Sequence, residues 1–328
     1  MRRLILILVL LVPGAGCRRG TSTPAPAAGP RVVIISIDGL RPDVALRAEM
    51  PCLRELMRHG AFSFWARTTE LSVTLPSHTS MLTGIVPERH EVYWNYDMPE
   101  GQTFRSPYPS VLDLAKAAGY TTALSVGKSK LRAIPGEHAV DWGYVPERDA
   151  QDYQVAAEAA KIIHEHRPDL LFVHFAEVDG YGHGSSWGSE SQLQAAKSAD
   201  QGIGTIIAAL REAGVLAQTT ILVTADHGGA GTMHGPDDPR SRHIPWVICG
   251  PNTQRSLTGP DADHQSEHGY DLTRQRELII NTEDTFATVC WLMDIPMPED
   301  VDGKPITAAF NDPPGPPTGS DPENAGRR

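Results

Sequence analysis

Five short apolar runs alternate with longer helical patterns along this chain, and this alternation restricts the folds that it can adopt. The runs cover residues 32–37, 121–126, 170–175, 220–224 and 246–249. They are too apolar to have one face in water, which is typical of a parallel sheet covered by helices on both faces. Helices are predicted at residues 43–58, 109–118, 153–166, 189–213 and 282–293. The sequence therefore predicts an α/β fold, a three-layer αβα sandwich around a largely parallel central sheet.

The two ends of the chain lack this alternation. Near the start, Arg2 and Arg3 precede nine apolar residues, and small residues then lead to Cys17. Nine apolar residues are too few to span a bilayer but suit an export signal. Pro, Ala, Thr and Gly dominate the stretch after Cys17, and the last residues are similar in composition. The predicted organisation is a signal peptide at residues 1–17, a flexible linker at 18–30, one folded domain at 31–310 and a disordered tail at 311–328.

The export signal resembles that of bacterial lipoproteins, in which the Cys after the small residues carries lipid. This resemblance implies lipidation of Cys17, and plain cleavage with secretion is the alternative. In both cases the chain is expected outside the cytosol, in the periplasm or cell envelope. Its expected contact with a membrane is limited to a lipid anchor at Cys17.

The chain is acidic, with 29 Lys and Arg against 40 Asp and Glu and a formal charge of −11. Removing the first 16 residues takes away two Arg and no acid, which leaves 27 basic against 40 acidic residues and a charge of −13. Proteins that bind nucleic-acid backbones need a basic surface, so no nucleic-acid-binding surface is expected.

The cysteines that follow Cys17 are three in number and show no metal-type spacing. Cys249 lies in an apolar run and Cys290 in a predicted helix, so both are expected to be buried free thiols. A disulfide that involves Cys52 is the alternative.

Carboxylates and imidazoles follow three of the predicted strands. Asp38 ends the first strand, Asp179 and His183 follow the third, and Asp226 and His227 follow the fourth. Because the carboxyl ends of parallel strands meet at one edge of a sheet, these side chains are expected to lie together. Carboxylates and imidazoles are ligands of zinc-like ions, so the pattern predicts a two-metal site. Taken singly, each Asp could equally belong to a turn or a solvated loop.

Two further local features bear on this site. Two glycines separate Asp179 from His183, which indicates a loop rather than a regular helix. Thr74 stands two residues before Pro76, a residue suited to the first turn of a helix, so Thr74 is predicted at a helix entrance. Free backbone amides there favour a phosphoryl oxygen, and a metal ion could hold the Thr74 hydroxyl as an alkoxide. The predicted function is metal-assisted hydrolysis.

Together these motifs resemble the alkaline phosphatase superfamily, and within it the type I phosphodiesterase and nucleotide pyrophosphatase branch, over about residues 31–308. The resemblance implies a catalytic domain with two divalent ions, for which a histidine-rich ligand set favours Zn²⁺. It also implies Thr74 as the nucleophile, bound to the second ion. The implied ligands are Asp179, His183 and His234 at the first ion, and Asp38, Asp226 and His227 at the second.

The third ligand of the first ion is chosen among four histidines. His234 begins a His-Gly-Pro-Asp stretch some sixteen residues before a Gly-Pro, as the ligand of the family does. His268 begins a similar stretch but lies beyond the Gly-Pro. The resemblance favours His234, and His243, His264 and His268 stay alternatives.

The substrate class follows from charge and from one further residue. Two dications, three Asp carboxylates and a Thr74 alkoxide sum to zero, which suits a singly charged diester. Asn95 lies 21 residues after Thr74, the spacing at which the phosphodiesterase branch carries an Asn that donates to a phosphoryl oxygen; a turn residue is the alternative. The expected reaction is phosphodiester or pyrophosphate cleavage through a phosphothreonine intermediate.

Departures from the branch leave other functions open. Leu75 stands where nucleotide-cleaving members carry an aromatic residue, which puts nucleotide specificity in doubt. Lys128 and Lys130 resemble paired lysines that bind the substrate carboxylate in phosphonoacetate hydrolases, so phosphonate or phosphomonoester hydrolysis is the alternative, unless these lysines belong to a solvated loop. Thr74 cannot form the formylglycine of sulfatases. A catalytically silent metal-binding lipoprotein is the alternative that is not an enzyme.

Overall fold

The computed structural model describes residues 29–98, 105–254, 269–275 and 277–311. The predicted signal peptide with Cys17, residues 18–28 of the linker, and residues 312–328 of the tail lie outside the described residues. His264 and His268 lie outside them as well.

Within the described residues the strands form one eight-stranded sheet with the order β4-β3-β5-β1-β6-β7-β2-β8. The strands are β1 Arg31–Ile37, β2 Ala61–Arg67, β3 Thr122–Val126, β4 Trp142–Tyr144, β5 Leu170–Phe175, β6 Thr219–Thr224, β7 His243–Cys249 and β8 Tyr270–Asp271. β1 lies between β5 and β6, pairs in parallel with both, and is buried along nearly all of its length. The predicted αβα fold with a largely parallel sheet is confirmed.

The sheet differs from the prediction in two respects. β7 pairs antiparallel with both β6 and β2. A buried apolar run has the same composition in either direction, so the sequence does not show the direction of this strand. β2, β4 and β8 were not predicted: β4 and β8 have three and two residues, too few for a periodic signal. β2 carries polar residues and a register shift between Ser63 and Ala66, which interrupt the apolar run.

Helices cover the sheet on both faces. α6, α8, α1 and α2 pack together in one layer, and α3, α5 and α9 in the other, while β3 contacts both α5 and α6. Their bounds are α1 Pro42–Arg47, α2 Pro51–Arg58, α3 Thr74–Thr83, α4 Pro87–His90, α5 Val111–Ala117, α6 Asp152–His166, α7 Glu177–Ser185, α8 Glu190–Glu212 and α9 Asp284–Leu292. Among the residues with assigned positions, no helix is both long and apolar enough to cross a membrane.

Two local predictions are wrong, one of a helix and one of a loop. The helix expected at residues 43–58 is divided in two, because Pro51 lacks an amide donor and disfavours the helical conformation at Met50, which lies outside both helices. The loop expected between Asp179 and His183 is the helix α7. A Cβ added at Gly182 would lie 2.8 Å from the indole of Trp187, so this glycine allows a close approach rather than a turn.

None of the three described cysteines forms a disulfide with another described residue. Cys290 is buried, as predicted, whereas Cys249 is only half-buried at the end of β7. Cys52 is half-buried and does not pair with either of them, so no disulfide forms within the described residues.

Candidate active site

Three neighbouring strands deliver the predicted aspartates to one edge of the sheet. Asp38 directly follows β1, Asp226 lies two residues after β6, and Asp179 lies in the first turn of α7, after β5. All three side chains are buried. The order β5-β1-β6 therefore brings residues that are up to 188 positions apart in sequence into one site.

The potential ligand atoms form two overlapping clusters. Within each cluster the nitrogen and oxygen atoms lie within 4.8 Å of one another: one consists of Asp38, Asp226 and His227, and the other of Asp179, His227 and His234. His183 adjoins the second cluster, with Nε2 3.4 Å from Asp179 Oδ1. All six residues predicted as ligands thus lie together, and His227 contributes to both clusters.

The carboxylates of Asp38 and Asp179 each have one oxygen held by the protein and one oxygen without a hydrogen-bond partner. Asp38 Oδ2 lies 2.9 Å from His174 Nε2 and 2.8 Å from Lys128 Nζ. Asp179 Oδ2 accepts a hydrogen bond from Lys128 Nζ at 2.6 Å. Oδ1 of both residues is buried and has no hydrogen-bond partner. The free oxygens are the atoms that a cation could bind.

Asp226 follows the same pattern with backbone donors. Its Oδ1 accepts hydrogen bonds from the amides of Gly39 at 3.1 Å and His227 at 3.0 Å. Its Oδ2 is buried and without a hydrogen-bond partner. Because Gly39 follows Asp38, the backbone of one ligand segment orients the carboxylate of another.

The three histidines are oriented in a common way. In each, Nδ1 lies within hydrogen-bond distance of a backbone carbonyl oxygen: His183 with Thr232 at 2.8 Å, His227 with Gly228 at 2.9 Å and His234 with Ser72 at 2.8 Å. A carbonyl only accepts, so Nδ1 carries the proton and Nε2 presents its lone pair. His227 Nε2 is buried without a hydrogen-bond partner. This arrangement is the one that imidazole ligands of metal ions adopt.

Burial and charge set the protonation of these groups. Burial, together with the nearby His234, lowers the pKa of His227 to about 4, and burial also lowers the pKa of His234. Both imidazoles are therefore neutral at pH 7, as metal ligands must be. Burial and the charge of Asp38 raise the pKa of Asp226, so these carboxylates repel one another without a cation between them.

Thr74 is the first residue of α3, as predicted, and its Oγ1 is buried without a hydrogen-bond partner. His78 links it to the ligand cluster: His78 Nδ1 lies 2.8 Å from the carbonyl oxygen of Thr74 and 3.4 Å from Asp226 Oδ2. The start of α3, the positive end of its dipole, therefore lies beside the carboxylate of Asp226.

Asn95 contacts the same helix start. Its Oδ1 accepts hydrogen bonds from the amide of Leu75 at 3.0 Å and from Lys130 Nζ at 2.9 Å. Because both contacts use the carbonyl oxygen, the two amide hydrogens of Asn95 are left to donate. Lys130 thus contacts Asn95, and Lys128 contacts the aspartates.

Two histidines beneath the site were not predicted. His174 lies in β5 and contacts Asp38, and His78 Nε2 lies 2.8 Å from Ser36 Oγ. Both are fully buried. The signal for His174 is present in the sequence, because an imidazole inside an otherwise apolar strand needs a polar partner.

Trp187 supports three of the ligand-bearing segments. Its Nε1 donates to the carbonyl oxygen of Gly39 at 2.9 Å. A Cβ added at Gly182 would lie 2.8 Å from its ring, and one at Gly229 would lie 2.3 Å from it. The segments that carry Asp38, His183 and His227 therefore pack on one indole.

The names of two relatives of this chain refer to phosphate compounds. It is 24% identical over 222 residues to bis(5'-adenosyl)-triphosphatase enpp4 of Xenopus laevis, covering 63% of this chain and 49% of that protein. It is 24% identical over 299 residues to GPI ethanolamine phosphate transferase 2 of Aspergillus fumigatus, covering 88% of this chain and 38% of that protein. The chain thus spans about half or less of the length of these curated relatives.

Solved structures share the fold. Murine ectonucleotide pyrophosphatase / phosphodiesterase 5 superposes with a TM-score of 0.66 at 12% identity, covering 83% of this chain and 97% of that one. A putative sulfatase from Bacteroides thetaiotaomicron superposes with a TM-score of 0.68 at 15% identity, covering 88% and 76%.

The family comparison agrees with the motifs. The model of the family described as type I phosphodiesterase / nucleotide pyrophosphatase matches residues 32–241, well over half of the chain. This match includes every residue of the two ligand clusters, His183 and Thr74. The chain belongs to the type I phosphodiesterase / nucleotide pyrophosphatase family.

Proposed function

We propose that this protein is a metal-dependent hydrolase of phosphate esters, of the phosphodiesterase or pyrophosphatase type, and that Thr74 is its nucleophile. One observation carries the proposal: carboxylate oxygens of three buried aspartates that have no hydrogen-bond partner lie close to imidazole nitrogens of the neighbouring histidines. The other carboxylate oxygen of each aspartate, and Nδ1 of each histidine, contact the protein. Such unpaired polar atoms are costly to bury unless a cation satisfies them.

The residues fit two divalent ions. Asp179, His183 and His234 would hold the first ion, and Asp38, Asp226 and His227 the second, with Thr74 beside them. Mixed imidazole and carboxylate ligands favour zinc. When bound, the ions would supply positive charge that favours the alkoxide of Thr74 and stabilises negative charge on the phosphoryl oxygens.

The residues of the chain would act in two displacements. In the first, Thr74 Oγ1 forms a bond to phosphorus as the bond to the leaving oxygen breaks, which gives a phosphothreonine. The amide of Asn95 would donate to a phosphoryl oxygen, and the positive end of the α3 dipole would favour the negative charge on it. In the second, a water oxygen attacks the phosphorus, the bond to Oγ1 breaks, and Thr74 regains its proton.

Comparison with relatives supports this assignment. The names of the Xenopus and Aspergillus relatives refer to an adenosyl triphosphate ester and to an ethanolamine phosphate group. The murine structure is that of an inactive threonine-to-alanine variant in complex with AMP. These names favour a small phosphate ester as the substrate here.

A second candidate function is phosphonate or phosphomonoester hydrolysis. The observation that favours it is the position of Lys130, whose Nζ lies 2.9 Å from Asn95 Oδ1 at the start of α3. A cation there would suit a substrate that carries two negative charges. Lys128 and Lys130 as substrate-binding residues belong to this candidate.

The deciding experiment compares kcat/KM for bis(p-nitrophenyl) phosphate, p-nitrophenyl phosphate and phosphonoacetate with the zinc-loaded protein. The proposal expects the diester to be the best of the three. A preference for the monoester or the phosphonate would establish the second candidate. Absence of turnover on all three, with zinc bound, would favour the silent metal-binding protein. Acid quenching with a labelled diester should trap on Thr74 the phosphoryl group that still carries its remaining ester, which mass spectrometry of the peptides detects.

A further inference from the structure

The ammonium group of Lys128 lies between the two ligand clusters. Its Nζ is 2.8 Å from Asp38 Oδ2 and 2.6 Å from Asp179 Oδ2, and the residue is only 8% exposed. One of these carboxylates belongs to each cluster. Lys128 therefore joins the two clusters through Oδ2 of each carboxylate, whereas Oδ1 of each has no hydrogen-bond partner.

The backbone fixes Lys128 in this position. Lys128 follows β3 after Gly127, whose amide donates to the carbonyl oxygen of His174 at 3.0 Å, and whose carbonyl accepts from Ala150 at 2.9 Å. A Cβ added at Gly127 would lie 3.0 Å from that of Ala176, so the segment runs close to the end of β5. The backbone of Lys128 is consequently fixed beside the end of β5, from which its side chain reaches Asp38 and Asp179.

The two carboxylates depend on Lys128 to different degrees. Asp38 Oδ2 has a second partner in His174 Nε2 at 2.9 Å. Asp179 Oδ2 accepts its hydrogen bond from Lys128 Nζ, at 2.6 Å. Loss of the ammonium group would leave Asp38 oriented by His174 and would release Asp179.

We infer that Lys128 is a positioning residue shared by both clusters: it holds Oδ2 of Asp38 and Asp179, and so directs Oδ1 of each toward a metal ion. This inference rests on the proposed function and gives Lys128 a task other than contact with the substrate. Lysine suits the task because one ammonium can donate to two carboxylates at once and offsets part of their mutual repulsion. Its effect should be greater on the ion held by Asp179, His183 and His234.

The test is zinc binding by Lys128→Met, with Lys130→Met as the matched control. Met keeps the length and apolar stem of the side chain but cannot donate. Zinc content after dialysis and the affinity of each site by competition with a chromophoric chelator are measured. We expect Lys128→Met to retain one ion and to bind the other roughly 10–100-fold more weakly, the usual effect of removing a residue that holds a ligand. Lys130→Met should bind both ions as the wild type does, and Lys128→Arg should restore the second ion.

Each outcome is distinguishable. If the wild type binds no zinc, the proposed function fails and the inference fails with it. If the wild type binds two ions and Lys128→Met binds both at least as tightly while KM rises, the inference alone is overturned and Lys128 contacts the substrate. Circular dichroism and thermal unfolding verify folding. Should Lys128→Met not fold, Lys128→Gln replaces it, because the amide of Gln is shorter and carries no positive charge to offset the repulsion between the two carboxylates; the same weaker binding of one ion is expected.

Discussion

The imidazole rings of His227 and His234 stack on each other, with centroids 3.8 Å apart and 16° between their planes. The resemblance assigns these residues to different ions, so this stack is where the two ligand sets meet. The contact also distinguishes His234 from His243, the one alternative for the same ligand that lies within the described residues. His243 stacks on Trp65, with ring centroids 4.1 Å apart, at the start of β7.

We expect His234→Ala to bind one zinc ion per chain in place of two, because the variant lacks the Nε2 that faces Asp179. Zinc content after dialysis measures this directly. His243→Ala and His268→Ala serve as controls and should keep both ions. Loss of an ion from either control, with His234→Ala unaffected, would assign the ligand to another histidine.

Thr74→Ala should lose turnover of the diester by on the order of 10³-fold or more, because no neighbouring group replaces the nucleophile. Its zinc content should remain close to that of the wild type. The control is Thr83→Ala, in the same helix, whose hydroxyl donates to the carbonyl oxygen of Thr79. Substantial turnover by Thr74→Ala would remove the residue from the reaction.

Asn95→Ala should lower kcat by about 10²–10³-fold, the usual loss on removing a donor to a charged transition-state oxygen. The variant also deprives the amide of Leu75 of its acceptor. Asn95→Asp separates the two effects, because it keeps the acceptor and loses the donor. If Asn95→Asp retains wild-type kcat, the Asn95 amide only supports the helix.

Because of Asp152, the free energy of unfolding of the protein should fall as the pH rises from 5 to 8. Burial and the charge of Glu177 raise the pKa of Asp152 to about 8, while its Oδ1 accepts from the amide of Ala176 at 2.7 Å. The unfolded carboxyl loses its proton near pH 3.9, at about its ordinary pKa, so the unfolded state binds fewer protons across this window and gains stability relative to the folded state. In Asp152→Asn the fall in Tm from pH 5 to 8 should be smaller. Parallel profiles for the two proteins would contradict this reading.

Gly182→Ala should destabilise the protein by about 1–3 kcal/mol, because its Cβ would lie 2.8 Å from Trp187 and 2.9 Å from Gln192. Gly180 and Gly184 are matched controls in the same helix, with no atom within 4 Å of an added Cβ. Alanine there should stabilise the protein by about 0.4–1 kcal/mol. Urea unfolding measures all three, and equal effects at the three glycines would show that the packing at Gly182 is unimportant.

The position of the aspartates at the ends of strands could be predicted because a local sequence pattern indicates it. An apolar run followed by Asp38, and the same arrangement before Asp226, are visible in the sequence, and parallel strands bring their ends to one edge. The wider fold follows from the same alternation of runs.

Other features depend on contacts that the sequence does not display. The glycines of α7 resemble those of a turn until Trp187 is known to pack against Gly182. The direction of β7 depends on its neighbours rather than on its composition. The role of Lys128 could not be derived, because its partners Asp38 and Asp179 come from distant segments.

The indole of Trp187 limits how the site can change during evolution. Three segments pack on this one ring, so a smaller side chain at this position would undermine all of them together, although the ring itself binds no ion. New specificities are therefore easier to acquire by substitutions outside these three segments than within them.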